Sequence, residues 1–403
     1  MKNVLHTTLA SSNSHTINSK LIFDYAIIGM GVAGLKLAME MKSDPFFSNK
    51  QILIVDAEIK NENDKTYCYW EYGEGHWDEI VKKSWKHIEV FDRKKNKQIK
   101  SIAPLVYKQI NSIDFYNYCI NALKKDDCFT FLNQNVLSVA EANGKCTLQT
   151  DAHKIISDYV FDSRVEEKFF SKKEDHLYIK QTFVGWFIKT DQPIFDPNTF
   201  TFMDFRLQWE NSTSFTYILP TSTTEALVEF TLFANYRLER EIYEQKLEEY
   251  LNIYYPDVTY EIVEEEYPIR PVPMTAFDFD KNPSKKIIKI GIAAGWTKPS
   301  SGFTFKRSEK FIKEIIQNLK NEKPQKHVNK LIPWRFRYYD LLLLRVLKHQ
   351  EHNGTKLFIA MFQLSKVNIL FKFLDEETNL IEEFLFMIRL PKWPFIRAIF
   401  SKN

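Results

Sequence analysis

Gly29, Gly31 and Gly34 stand in the spacing GxGxxG, directly after the apolar run Tyr25-Ala26-Ile27-Ile28. That spacing suits the binding of a pyrophosphate. Gly29 allows a tight turn, Gly31 lets backbone N–H groups approach the phosphates, and Gly34 lets the next helix pack close to the strand. The N-terminus of that helix adds positive potential. Asp56 closes a second apolar run, QILIVDAE at 51–58, 22 residues beyond Gly34. A carboxylate there can accept hydrogen bonds from an adenosine ribose. A second glycine group comes late, with Gly291 and Gly295 followed by Pro299-Ser300-Ser301-Gly302. Glu229 is a different kind of candidate, an acid inside Leu227-Val228-Glu229-Phe230-Thr231. Alternation along a strand puts Leu227 and Glu229 on one face. Facing a core, the carboxyl would keep its proton and could act as an acid. On an edge strand facing water, it would be an ordinary surface charge. The residues alone leave both readings open. Asp204 and Arg206, set among aromatic residues, are likewise either a fold-holding ion pair or part of a site.

These groups need elements to hold them. The order strand, glycine turn, helix, strand, acid is that of a Rossmann-like unit. The sequence beyond it is aromatic-rich and shows no second βαβ repeat, a layout that favours FAD over NAD. Residues 64–77, DKTYCYWEYGEGHW, read as a loop near the flavin or substrate, or as a surface loop anchored by Trp70 and Trp77. Residues 115–123 read as a helix, and 155–164 as a strand that delivers Asp162-Ser163-Arg164. From 181 to 233 come β-branched and aromatic runs with turn signals between them, an antiparallel sheet. Residues 239–251 read as a helix and the acidic 261–266 as solvated. The run 287–292 is a late strand that delivers its glycine turn to the cofactor. Beyond 310 the pattern is helical, with Glu376 and Glu377 as favourable first-turn acids. The expected fold class is thus mixed α/β (α+β). A tail spans 1–20 and the first part of a Rossmann-like FAD-binding domain 21–165. An antiparallel-sheet substrate domain spans 166–280, a completing part of the FAD domain 281–320, and a helical C-terminal region 321–403.

The 403 residues carry 55 Lys+Arg against 52 Asp+Glu, with 44% hydrophobic and 27% charged residues. Such a chain can build a core in two or three domains. General disorder and nucleic-acid binding as the main role are excluded. Thirty-three Phe against 11 Gly suit a wide apolar cavity or a thick core. Residues 320–403 carry 15 Lys/Arg and 8 Asp/Glu. That excess suits contact with an acidic membrane surface, or a solvated helix face. No apolar run reaches the ~18 residues of a spanning helix, so any membrane contact would be peripheral. Residues 1–20 lack the apolar stretch of a signal peptide. Cys68, Cys119, Cys128 and Cys146 form no CxxC and have no His at ligand spacing. They read as reduced thiols of a cytoplasmic protein, with no metal site expected.

Several blocks taken in order resemble the flavoprotein lycopene cyclases of the bacterial type. They are DYAIIGMGVAGL, the DKTYCYW block, FDSR, QTFVGWFI, FTFMDFR, FTYILPTSTTEALVEFT, VPM at 272–274, GIAAGWTKPSSGFTF, and FLDEET with MIRLPKWPFIRAIF. The resemblance runs from about 23 to 400 and rests most on the MDFR and ILPTSTTEALVEFT blocks. It implies the two-domain architecture of FAD monooxygenases and geranylgeranyl reductases. It also implies closure of β-ionone rings at the ends of lycopene, giving γ-carotene and then β-carotene. The reaction is an isomerisation that needs reduced FAD, with NAD(P)H as electron source and no net redox turnover. Lycopene and related C40 polyenes become the expected ligands, taken from a membrane surface, and contact with other carotenoid enzymes is possible. Two departures stand out. The late strand carries no Asp for the ribityl chain, and PSSGF replaces the more usual PSTGY.

Ring closure needs a proton on a terminal alkene, attack by the neighbouring double bond on the resulting cation, and loss of a ring proton. By resemblance Glu229 matches the family's essential acid. The reduced flavin is a rival source of the proton or of electrostatic support. Aromatic faces would stabilise the cation, with Trp186, Tyr217, Trp296 and Phe303 as candidates beside Asp204 and Arg206. Gly29, Gly31, Gly34, Asp56, Gly291 and Gly302 are the cofactor candidates. Lys392, Trp393, Phe395 and Arg397 are surface-anchor candidates. A redox flavoenzyme of the same fold, a monooxygenase or prenyl reductase, is the alternative function. A non-catalytic carotenoid carrier is a third.

Overall fold

The computed structural model describes residues 21–165, 177–268, 271–275, 284–325, 331–349, 351–364 and 366–401. The apolar runs around the glycine motif form the middle of a seven-stranded sheet. Strands Phe129–Asn133, Ile52–Asp56, Leu21–Ile28 and Lys154–Asp162 lie side by side and parallel. Such strands are covered on both faces, hence their unbroken apolar runs. Ile287–Lys289 adds a parallel partner to Lys154–Asp162, and Lys145–Thr150 and Val136–Ala142 complete the sheet antiparallel. The helix Val32–Ser43 packs close, because a Cβ on Gly34 would stand 2.0 Å from the Gly29 carbonyl oxygen.

A second sheet orders Tyr260–Glu266, Tyr178–Thr190, Glu225–Ala234, Thr213–Pro220, Thr199–Asp204, His87–Phe91 and Lys97–Ser101. The last two strands come from within the 21–165 segment, and His87–Phe91 pairs parallel with Thr199–Asp204. Both faces of this sheet are apolar. One face packs Trp186, Val228 and Phe230 with Tyr243 and Leu247 of the helix Arg240–Tyr254. The opposite face packs Phe215, Leu227 and Phe233 with the helices Trp334–His349, Glu351–Leu364 and Val367–Leu374.

Three local expectations change. Within 64–77, Thr66–Tyr72 is a strand, paired with Leu105–Asn111 in a small third sheet, and Trp70 and Trp77 are buried. Its Tyr69 and Trp70 are core and Tyr72 is exposed, whereas the glycines after it lie in the turn. Glu266 of the acidic 261–266 run is buried, because strand alternation turns it inward while Glu261 and Glu265 face water. Glu376 does not open a helix. It follows Val367–Leu374 at φ +65°, and the next helix, Leu380–Met387, is capped by Asn379.

Glu376 instead belongs to a buried charge cluster. Its carboxylate lies 3.2 Å from Lys298 and 3.0 Å from Arg307, and Lys298 also meets Asp340 at 2.8 Å. Burial alone would raise the Glu376 carboxyl, but Lys298, Arg307 and Lys310 override it and hold the group below its usual range. The cluster ties two C-terminal elements to the 297–302 turn. Removing one partner of such a buried pair strands the others. Glu376→Ala should therefore cost about 3 kcal/mol of stability, read as a lowered urea midpoint with little change in slope.

Candidate active site

A cavity of about 2700 Å³ runs between the two large sheets and the C-terminal helices. Single small-molecule sites usually span about 300–1,000 Å³, so this volume suits a dinucleotide and a long second ligand together. Its walls differ in chemistry. The carboxyl ends of the parallel strands supply Gly29, Gly31, Asp56, Asp162, Ser163 and Arg164, where open α/β sheets bind ligands.

Gly29 takes φ +105°, and a Cβ there would run into the Ser163 hydroxyl at 2.0 Å. Ser163 donates from its Oγ to the Ile28 carbonyl at 2.7 Å. At Gly31 a Cβ would meet nothing within 4 Å, which leaves open space in front of the helix N-terminus. Asp56 lines the same wall. Its Oδ2 accepts the Met30 N–H at 2.6 Å and its Oδ1 the Glu58 N–H at 2.9 Å, so it also braces the glycine turn. Gly291 and Gly302 adopt φ of +64° and +77° and line the cavity beside Ser300 and Ser301. The hydroxyls of Ser300 and Ser301 are buried without a hydrogen-bond partner among the described residues. Buried polar groups are normally satisfied, so these two suit a polar ligand. The bare glycine space, the orphaned hydroxyls and the helix terminus together fit FAD. Asp162 binds Arg164 at 2.9 Å and Lys289 at 3.0 Å, and these cations outweigh burial to hold its carboxyl low.

The second sheet supplies the apolar wall, and Glu229 is set in it. The residue is 8% exposed, with Leu227 and Thr231 on the same cavity-lining face. Burial pushes its carboxyl up to about 8, the charge of Glu266 adds to that, and a hydrogen bond from the Thr231 hydroxyl opposes it. Tyr217 faces Glu229 in the strand register, and its phenol shares a 2.8 Å hydrogen bond with Tyr107. Phe303 meets Phe202 in parallel at 6.3 Å and Trp70 edge-on at 4.8 Å.

Four of the aromatic and polar candidates lie elsewhere. Trp186 points to the opposite face of its strand, against Tyr260, because its neighbour Gly185 takes the cavity face. Trp296 stacks on Phe311, 5.5 Å away, under the helix Arg307–Lys320. Asp204 is fully buried outside the cavity, and Arg206 grips it at 2.9 Å while its guanidinium lies 3.8 Å over both Phe91 and Tyr254. That pair holds the sheet to its outer helix. Glu266, by contrast, lines the cavity, although its position in a run of acids gave no sign of it. Among the described residues, no cluster of His, Cys, Asp and Glu could hold a metal ion.

The family described as lycopene cyclase protein matches residues 24–400. No curated protein matches the sequence. Solved structures of similar fold include a geranylgeranyl bacteriochlorophyll reductase-like protein from Thermoplasma acidophilum. Its TM-score is 0.56 at 10% identity, over 95% of this chain and 97% of that one. A flavoprotein/dehydrogenase from Cytophaga hutchinsonii has a TM-score of 0.59 at 14% identity, over 94% and 99%. A halogenase solved with FAD has a TM-score of 0.56 at 11% identity, over 93% and 85%. At these identities the likeness is one of fold.

The open space at Gly31 generates a test. Gly31→Val puts an isopropyl group where backbone must approach a pyrophosphate, without a clash inside the protein. The variant should purify without flavin absorbance. Its thermal midpoint should equal that of flavin-stripped wild type, because only the ligand's contribution is lost.

Proposed function

Since the chain belongs to the lycopene cyclase family, we propose that it is a lycopene β-cyclase, closing one ring to give γ-carotene and a second to give β-carotene. The observation that carries this reading is a buried carboxyl, Glu229, pushed up to about 8 by burial, in the aromatic wall of a cavity that also contains the dinucleotide cradle. An alkene is a very weak base, so its protonation needs a positioned acid shielded from water. Glu229 gives its proton to the terminal double bond. The tertiary cation so formed is attacked by the neighbouring double bond, and a ring carbon–carbon bond closes. Loss of a ring proton then sets the double bond. One proton is added and one lost, so nothing is oxidised or reduced.

Tyr217 and Phe303 line the same cavity as Glu229, and their rings would stabilise positive charge there. Gly29, Gly31, Gly34, Asp56, Gly291 and Gly302 would hold FAD, with Ser300 and Ser301 as donors. In its reduced form, supplied by NAD(P)H, FAD brings an electron-rich ring system that favours the cation electrostatically.

The substrate's source fits a peripheral membrane position. The helix Lys392–Phe400 exposes Trp393 at 73% and Phe400 at 83%, while Phe395, Ile396 and Ile399 line the cavity. Leu380, Ile381 and Phe384 of the neighbouring helix are also exposed. Such a rim suits an apolar polyene entering from a bilayer. No helix among the described residues is long and apolar enough to cross a membrane.

Expression in a lycopene-accumulating bacterium should convert lycopene to β-carotene, read by pigment chromatography. Glu229→Gln should leave lycopene unchanged while keeping its flavin. Unchanged lycopene with flavin-loaded wild type would overturn the reading, and stoichiometric NAD(P)H consumption would favour a redox flavoenzyme instead.

The same substitution has a stability signature. The Glu229 carboxyl rises from 4.5 to about 8 on folding, so the folded state holds a proton that the unfolded state releases. Its stabilising contribution is therefore complete below pH 4.5 and lost as pH rises towards about 8. Urea midpoints of wild type should fall across that window more steeply than those of Glu229→Gln, and wild-type cyclisation should fade above about pH 8.

A further inference from the structure

Three neighbouring strands place Gly185 opposite Glu229 on one side and opposite Glu266 on the other. A Cβ built on Gly185 would stand 3.6 Å from the Cβ of each glutamate and 2.9 Å from Leu227 Cδ1, which leans over the glycine. The two acids therefore share a row of the sheet, separated by one missing side chain. Both are buried, Glu229 at 8% and Glu266 at 5% exposure, and both line the cavity. Their donors are unequal. Glu266 accepts the Thr66 backbone N–H at 3.1 Å and the Thr66 hydroxyl at 2.6 Å, whereas among the described residues Glu229 accepts from the Thr231 hydroxyl alone. Donors favour the charged form, and two buried carboxyls in one site do not both ionise.

The surrounding groups leave this division intact. Tyr217 on the adjacent strand, Tyr107 and Cys68 from the third sheet, and Tyr67 beside Thr66 are all pushed up by burial and stay uncharged. Burial pushes the Glu266 carboxyl up as well, to about 7, but the Thr66 donors and then Lys65 oppose that rise, against a small opposing influence from Asp64, so it stays below Glu229. Arg240 on the outer helix engages Glu244 and Glu265.

We propose that Glu266 is a positioning residue for the acid: facing Glu229 across the bare Gly185 and held by Thr66, it carries the pair's negative charge, so that the pair's proton resides on Glu229. This rests on Glu229 being the proton donor. Glu266 acts through Glu229 and transfers nothing to the polyene. The glycine is part of the device, because a side chain at 185 would separate the two carboxyls.

The test uses the full-length oxidised flavoprotein without substrate, and in parallel the cyclisation rate against pH. The carboxylic-acid C=O band of Glu229 is identified by its absence in Glu229→Gln and titrated by infrared spectroscopy. In Glu266→Gln its midpoint should fall by about one pH unit. The alkaline limb of the rate profile should move with it, a loss of about tenfold above the wild-type midpoint. Glu266→Asp should restore the wild-type midpoint. Thr66→Val, which removes one donor and keeps the side-chain size, should move the midpoint the same way by less. It also serves if Glu266→Gln fails to fold. An unmoved midpoint in Glu266→Gln, or in Thr66→Val where only that variant folds, would overturn the proposal and leave Glu266 as a brace for Thr66. A Glu229→Gln enzyme that still cyclises would instead remove Glu229 as the donor, while a shifted band in Glu266→Gln would still show the shared proton.

Discussion

Two carboxyl groups in one apolar wall cannot both be charged, and much of the structure follows from how that constraint is met. Ionising a buried acid costs more than neutralising it. The second sheet therefore has to offer one carboxyl a charged environment and deny it to the other. Thr66 supplies that environment for Glu266. It comes from the small third sheet, so the acid's protonation depends on a strand outside the sheet that bears it. The aromatic residues that line the cavity with Glu229 make that wall apolar. Tyr217 and Tyr107 share one hydrogen bond between their phenols.

The cofactor cradle is built by the opposite means. There the backbone does the binding, and the side chains mostly stay out of the way. Glycines at positive φ turn the chain, and the parallel strands end where the cradle begins. The cluster of Lys298, Asp340, Arg307 and Glu376 links this half to the C-terminal helices. The turn that carries Ser300 and Ser301 is thus tied to the C-terminal helices through Lys298.

The cradle was legible in the sequence because glycine spacing, flanking apolar runs and a terminal acid all report local geometry. Glu229 was legible as a candidate for a similar reason, since an acid between Val228 and Phe230 is conspicuous. What alternation could not decide was which face of the second sheet meets the cavity. Both faces are apolar, so Trp186 and Phe183 look alike in sequence although only Phe183 lines the cavity. Asp204 and Arg206 were ambiguous on the same ground, and only the position of the Arg240–Tyr254 helix resolves them. Glu266 was hidden by its acidic neighbours, and Glu376 by a helix whose first turn begins about one turn later, at Leu380. These are failures of long-range information. Each residue's role is set by an element distant in the chain.

The parallel pairing of His87–Phe91 with Thr199–Asp204 has a bearing on ancestry and recombination. The second sheet is not a module that one cut before residue 166 and another after 280 would release. Two of its strands are encoded upstream, inside the segment that otherwise builds the cofactor half. A gene exchange that swapped only the central segment between relatives would join a new sheet to a foreign edge. Viable shuffling must move both pieces together or neither, so the two halves of such a protein are constrained to diversify as one inherited unit.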